Sequence, residues 1–351
     1  MRTMKITIMA MLPKAFGFSL TVLLASAQAV ELPKPLVVDQ TSPKLRATAS
    51  RLWAAAFSPD GNTLAVTAGW DDPKEAGELV LWDVRIGKPK LIWRQDATIR
   101  CVAFSREGKS LAIGDFAGAT RILNPQTGQV IIELPKQEKP VNSLLFMPTD
   151  ASLVTGGFDE TVRFWDPVSG KLLRTLNTPG EGITCVAVSP KGSSLTAVTW
   201  PGKAHVWNVP SLTQSYVLNA NNAGQIAEVV VFSPDAKSLV TGSWDHSLKV
   251  WNAEQGKLLR ELPGHLAPVQ SAAFSPDGRI LASGDASGKV RLWVAATGET
   301  IAVLEGHSDR CFGLAFSPDG KRLATAAWDR KVLLWDLATR QQVATLLRET
   351  P

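Results

Sequence analysis

Histidine and cysteine are scarce in this chain, and their scarcity removes much of the usual site chemistry. Four histidines and three cysteines stand among 351 residues. His205 and His246 have no second ligand at metal spacing, and no Cys-x-x-Cys-His string is present to hold a haem covalently. Nucleophile elbows and phosphate-cradling glycine loops are also missing; Gly156-Gly157 belongs to a strand-and-turn pattern. No metal and no cofactor is expected. Lys and Arg form no block dense enough to follow a phosphate backbone, so nucleic acid is not an expected partner. Tyrosine falls to one residue beside twelve tryptophans, an imbalance that points to one motif copied several times.

Long apolar runs are lacking too, apart from a short one near the start. Arg2, Lys5 and Lys14 make that start positive, Ala15 to Ala25 is apolar and uncharged, and Ala27-Gln28-Ala29 precedes Val30. This is the three-part order of a secretory leader, and the run is too short to span a bilayer. Residues 1–29 are therefore expected to be a signal peptide, and the mature protein periplasmic or extracellular, without a membrane span. With no Cys near the cleavage point, a lipid anchor is not expected. Removing the leader leaves 34 basic against 32 acidic residues, a net charge of +2. The folded part is close to neutral.

What the chain does have is a repeat. Phe57-Ser-Pro-Asp-Gly returns at Phe104, Phe146, Val188, Phe232, Phe274 and Phe316 with variations. A second anchor follows each copy, at Trp82, Leu123, Trp165, Trp207, Trp251, Trp293 and Trp335, at intervals of 41, 42, 42, 44, 42 and 42 residues. Each copy reads as four short strands parted by Pro, Gly and Asp turns. One such sheet cannot bury both faces, whereas seven packed around an axis can. The expected fold is all-β, a seven-bladed β-propeller of four-stranded antiparallel blades. The blades fall at about 51–95, 96–136, 137–178, 179–220, 221–263, 264–305 and 306–348. Cys101, Cys185 and Cys311 fall on inner strands of non-adjacent copies, as small apolar residues rather than a disulfide framework.

The pattern Gly-His, Ser-Pro-Asp-Gly, Asp and Trp-Asp resembles the WD-repeat (G-beta-like) family, over essentially all of the chain after about residue 50. The resemblance implies a hydrogen-bonded tetrad inside a blade. The seventh copy matches fully with His307, Thr325, Asp329 and Trp335. The sixth has His265, Ser283 and Trp293, but Ser287 where Asp belongs. The third (Thr155, Asp159, Trp165) and fifth (Thr241, Asp245, Trp251) lack the His, and the other three mostly lack the tetrad. The family's habit of closing the ring with a terminal strand implies a role for 35–40, within a 30–50 linker, as a strand sealing the first blade to the last.

Length variation points to a functional face. The insertion at Trp70–Glu78 and the longer loop in Ser211–Phe232 are expected on one rim, and insertions collected on one face often mark a binding surface. Just before the tetrad Asp position the chain is aromatic in most copies: Phe116, Phe158, Trp200, Trp244 and Trp328, with Trp70 shifted by the insertion and Ala286 in the sixth. Rigid aromatics of this kind suit partner anchors. Replacing Phe158, Trp244 and Trp328 together with Ala is then expected to abolish capture while barely moving melting. Four residues before each first anchor stand Trp53, Arg100, Asn142, Thr184, Glu228, Gln270 and Phe312, expected at the channel mouth. The chain reads as a non-catalytic scaffold for a protein or peptide, monomeric by itself. The alternative is a propeller enzyme or cofactor binder acting at the central channel.

Overall fold

In a computed structural model the structure describes residues 37–38, 51–70, 76–149, 152–221 and 224–346. The leader expected at 1–29, most of the 30–50 linker, and part of the Trp70–Glu78 insertion lie outside the described residues. Seven antiparallel sheets follow one another at 51–95, 99–133, 141–177, 182–219, 227–261, 269–304 and 311–346, each with its four strands in chain order. No helix occurs among the described residues, so none there is long and apolar enough to cross a membrane.

Burial explains the residue choice in each strand. Second strands such as Leu111–Asp115 and Leu153–Gly157 are buried throughout, because a blade is covered on both faces there. They accordingly read as runs of small and apolar residues rather than alternating ones. The outermost strand of the third blade, Leu172–Asn177, is exposed except at Leu176. The core is divided into seven hydrophobic clusters, each straddling one junction between neighbouring blades. The cluster joining blade 7 to blade 1 pairs Ala324, Ala326, Leu334 and Leu346 with Leu64, Val66 and Trp82. Packing of this kind closes the ring. The short strand Val37–Val38 does not seal first blade to last; it lies parallel to the outer strand of blade 1 itself, opposite Ile92 and Trp93.

The turns carry the repeat's polar residues. At Ser58–Gly61 the Ser58 hydroxyl donates to Asp60 Oδ1 at 2.5 Å and accepts from the Thr63 amide at 2.9 Å, while Gly61 takes a left-handed φ of +71°. Ser233–Asp235, Ser275–Asp277 and Ser317–Asp319 make the same contact, each at 2.6 Å. The hydrogen bond from Ser58, then that from Asn62, holds the Asp60 carboxyl at about 2 against an ordinary 3.8. A depressed folded value means that this stabilisation is present above the ordinary value and is lost as pH falls toward 2. Asp235, Asp277 and Asp319 are lowered for the same first reason, the serine hydroxyl. Melting curves are therefore expected to fall between about pH 4 and pH 2, with Asp60→Asn melting lower at neutral pH and showing a shallower acid loss. On the same side, Leu212 and Arg340 stand where the other blades have Gly, and both are held at positive φ, +56° and +60°.

Candidate binding face

The two variable loop types meet on one rim. In blades 2, 3, 5, 6 and 7 the turn after the second strand is hydrogen-bonded to the segment entering the innermost strand, as Phe116 N–H to Thr98 O, Trp244 N–H to Ile226 O and Trp328 N–H to Arg310 O, each at 2.9 Å. Gln137 N–H reaches back to Gly118 O at 2.9 Å in the same way. The Ser-Pro-Asp-Gly turns join the other ends of these strands and so form the opposite face.

The seven channel residues share one backbone device. In every blade the pairing of innermost with second strand skips a single residue, between Leu52 and Ala54, Ile99 and Cys101, Val141 and Ser143, and likewise in blades 4 to 7. The skipped residues are Trp53, Arg100, Asn142, Thr184, Glu228, Gln270 and Phe312. A bulge residue is released from the ladder and its side chain re-aimed. All seven line one cavity on the axis, of about 200 Å³. The sequence marks the bulge only indirectly, through the unlikeness of the seven residues among monotonous neighbours.

Half of the mouth is aromatic and cationic. Trp53, Phe312 and Trp328 form a three-ring cluster at the junction of blades 7 and 1, with centroids 5.0 to 5.2 Å apart. Guanidiniums interleave with it: Arg51 lies 4.1 Å from the Trp328 ring and 5.3 Å from Trp70, and Arg100 lies 4.1 Å from Trp53 and 5.5 Å from Phe116. Arg310 sits between Trp328 at 5.1 Å and Trp244 at 5.7 Å. Blade 6, between those two rings, carries only Ala286 at the equivalent position. The result is a continuous arc of rings and cations from Phe116 in blade 2 to Trp244 in blade 5. The remaining half is polar, with Asn142, Thr184, Glu228 and Gln270; Asn142 and Thr184 bond to main-chain oxygens of the next blade.

The six candidate aromatics are thereby divided. Trp328 is engaged in the 7–1 junction, so its loss is not expected to leave melting unchanged; that expectation is corrected by its ring contacts. Phe158 packs over Gly182 of the next blade, where a Cβ would come within 2.6 Å of its ring. The Trp244 indole N–H donates to Glu228 at 2.9 Å, tying a rim ring to a channel residue. Trp200 and Trp70 are the most open, at 56% and 36% exposure.

Beneath the rim the tetrads are more complete than the residue pattern indicates. In blade 7 Trp335 N–H donates to Thr325 at 3.0 Å, Thr325 meets His307 Nε2 at 2.8 Å, and Nδ1 meets Asp329 at 3.0 Å. Blade 6 has the same relay, but its acid is Asp285 rather than a residue at the Ser287 position. His265 Nδ1 lies 2.7 Å from Asp285, and Ser287 merely donates to that carboxylate. Burial pushes both aspartates up, yet the hydrogen bonds and charge of His265 and His307 bring each below its ordinary value. In blade 3 Gln137 does the work of His: its amide oxygen accepts from Thr155 at 2.8 Å and its nitrogen donates to Asp159. An amide offers one acceptor and donors together, as a neutral imidazole does. Blade 4 substitutes Glu181, which takes Thr199 at 2.9 Å, His205 at 2.8 Å and Lys203 at 2.8 Å.

Ser283, His265 and Asp285 stand in the hydrogen-bond order of a nucleophile, base and orienter. The geometry is structural, because Ser283 is fully buried and its oxygen accepts the Trp293 N–H at 2.8 Å. The cysteines are free; Cys101 and Cys311 are buried, and burial raises both thiols, that of Cys311 to about 12, which keeps them protonated. Among the described residues no group of three or more His, Cys, Asp or Glu is placed to hold a metal ion.

Seven four-stranded sheets in a ring, with tryptophan–hydroxyl–imidazole relays pinning blades 6 and 7, define a propeller built from one duplicated unit. The chain belongs to the family "WD domain, G-beta repeat", whose model matches residues 41–72, 128–166, 170–208, 213–252, 256–294 and 298–336, more than half of the sequence. The unmatched stretch between 72 and 128 takes in the first three strands of blade 2, where Leu123 replaces the anchor Trp. The chain is similar to Periodic tryptophan protein 2 homolog of Dictyostelium discoideum, 27% identical over 38% of this chain and 15% of that protein. WD repeat-containing protein VIP3 of Arabidopsis thaliana is 31% identical over 32% of this chain and 38% of that protein. Meiotic recombination protein rec14 of Schizosaccharomyces pombe is 28% identical over 34% and 38% respectively. The chain spans less than two fifths of the length of each of these relatives.

Proposed function

We propose that this protein is an exported, non-catalytic scaffold that holds a protein or peptide on its variable-loop rim. Family membership favours protein binding as the general role. The observation that carries the choice of face is the sevenfold bulge, which aims seven unlike side chains at one mouth beside exposed Trp200 and Trp70. These positions lie outside the strand ladders, where identity is not dictated by pairing. The channel itself is a poor cofactor site, since about 200 Å³ falls below the range of typical small-molecule pockets, roughly 300 to 1,000 Å³. Export follows from the composition of residues 1–29.

The test is affinity capture from the extracytoplasmic fraction of the native organism, with wild-type protein and the Trp200→Ala variant side by side. A protein retained by the wild type and lost by the variant, at unchanged melting temperature, is the expected outcome. Equal retention by both removes this rim from consideration. N-terminal sequencing of the same material is expected to begin at Val30; a chain recovered in the cytoplasm with Met1 in place overturns export.

A further inference from the structure

We infer that the axial cavity is a socket for one primary-amide side chain, an Asn or Gln presented by the partner. This rests on the partner-binding role proposed above and adds the chemistry of the residue that enters.

The polar groups of the wall decide what can enter. Its charged groups are engaged: Arg100 lies against Trp53 and Phe116, and Glu228 takes the Trp244 indole at 2.9 Å. Its hydroxyls are engaged as well. Ser271 donates to Cys311 O at 2.7 Å, Thr184 donates to Val198 O at 3.1 Å, and Ser143 accepts the Val186 amide at 3.1 Å. Among the described residues, three side-chain polar atoms of the lining are left buried and without a partner: Asn142 Oδ1, Gln270 Oε1 and Gln270 Nε2.

Those atoms select a ligand. Two are acceptors and one is a donor group, and a primary amide carries the complement on a single planar end, two N–H donors and one carbonyl. A carboxylate would set its oxygens against those of Asn142 and Gln270. An ammonium or guanidinium brings no acceptor for Gln270 Nε2. An apolar tip meets none of the three, although buried polar atoms are normally satisfied, by water if by nothing else. A group that displaces such water keeps its affinity only by reproducing the same hydrogen bonds.

Placement and size agree with this choice. Asn142 belongs to blade 3 and Gln270 to blade 6, three blades apart in a ring of seven, so they stand on opposite sides of the axis. The cavity is about 200 Å³. At roughly 30 Å³ per displaced water, a side-chain end of about four heavy atoms fits such a space. Asn142 is fixed by its Nδ2, which donates to Ile183 O at 2.7 Å, and its oxygen is the end left over. Gln270 is 3% exposed, but no hydrogen bond holds its side chain, so its amide can turn toward the axis without breaking one. Side-chain turns of this kind are common where partners meet.

The experiment is an NMR titration of the full chain, following the Trp53 indole N–H at the cavity wall. The ligands are Gly-Ser peptides with acetyl and N-methylamide ends and a central Gln, Glu, Lys or Met, so that the Gln side chain is the one primary amide offered. The Gln peptide is expected to bind at least about tenfold more tightly than each of the others. Gln270→Met keeps the volume and removes two of the three unpartnered atoms, so it should bring the Gln and Met peptides within about twofold of each other. Gln270→Glu replaces the donor with an acceptor and is expected to move the preference to the Lys peptide. Melting curves establish that both variants are folded. A Glu, Lys or Met peptide that matches the Gln peptide on the wild type, or a Gln preference that survives Gln270→Met, overturns the inference. If no peptide is preferred while Trp200→Ala still loses a captured partner, the rim stands and its amide ligand falls. If both fail, the scaffold reading falls with it.

Discussion

Replacing Trp328 with alanine is expected to lower the melting temperature by roughly 5–10 °C, whereas Trp200→Ala should shift it by no more than about 1 °C. Both residues occupy the same place in their repeats, one position before the tetrad Asp. Truncating a core Trp costs about 3–5 kcal/mol, and for a half-buried ring at the rim about 2–3 kcal/mol is the appropriate scale. Trp328 touches Trp53 and Phe312 and carries Arg51 and Arg310 against its faces, so its removal loosens the junction where chain start meets chain end. Trp200 is more than half exposed and has little packing to lose. Differential scanning calorimetry on the two variants checks the contrast. Equal shifts would show that the 7–1 junction does not depend on the ring cluster.

The second large effect concerns the acid of blade 6. Asp285→Ala is expected to cost about 2–3 kcal/mol, because the buried His265 Nδ1–H then has no acceptor. Ser287→Ala should cost about 1 kcal/mol or less, since it deletes one hydroxyl donor to a carboxylate that stays in place. The hydrogen bonds behind this ranking are 2.7 Å from His265 and 2.6 Å from Ser287 to Asp285. Urea unfolding of the two variants reads the difference directly, and the reverse order would return Ser287 to the tetrad position.

The repeat made the architecture legible, because strand count and turn chemistry are written locally in each copy. Seven anchors implied seven blades, and blade 2 is present although Leu123 replaces its Trp. The polar relays were less legible, since hydrogen bonding follows function groups rather than residue names: Gln137 serves for His, and Asp285 serves from two positions away. The position of Val37–Val38 depends on which open strand edge is available, and local sequence does not state that. At the candidate site, the residues four before each first anchor are the seven that the inner ladders skip and lie among those lining the axial cavity, while the bulge itself shows in the sequence only as their unlikeness. Arg51 and Arg310 went unnoticed because their meaning comes from rings in other blades. Phe158 looked like Trp200 until Gly182 was seen beneath it.

The skipped position in each inner strand has a bearing on how such a ring diversifies. A residue that belongs to no ladder pair can be exchanged without disturbing the register of its own sheet, although Asn142 and Thr184 bond to the next sheet and Trp53 and Phe312 pack across the 7–1 junction. Under the proposed binding role, each such position is a letter that can be rewritten while the strand pairing of its own blade is kept. On that proposal, a partner surface can change sector by sector while the ladders beneath it stay in register.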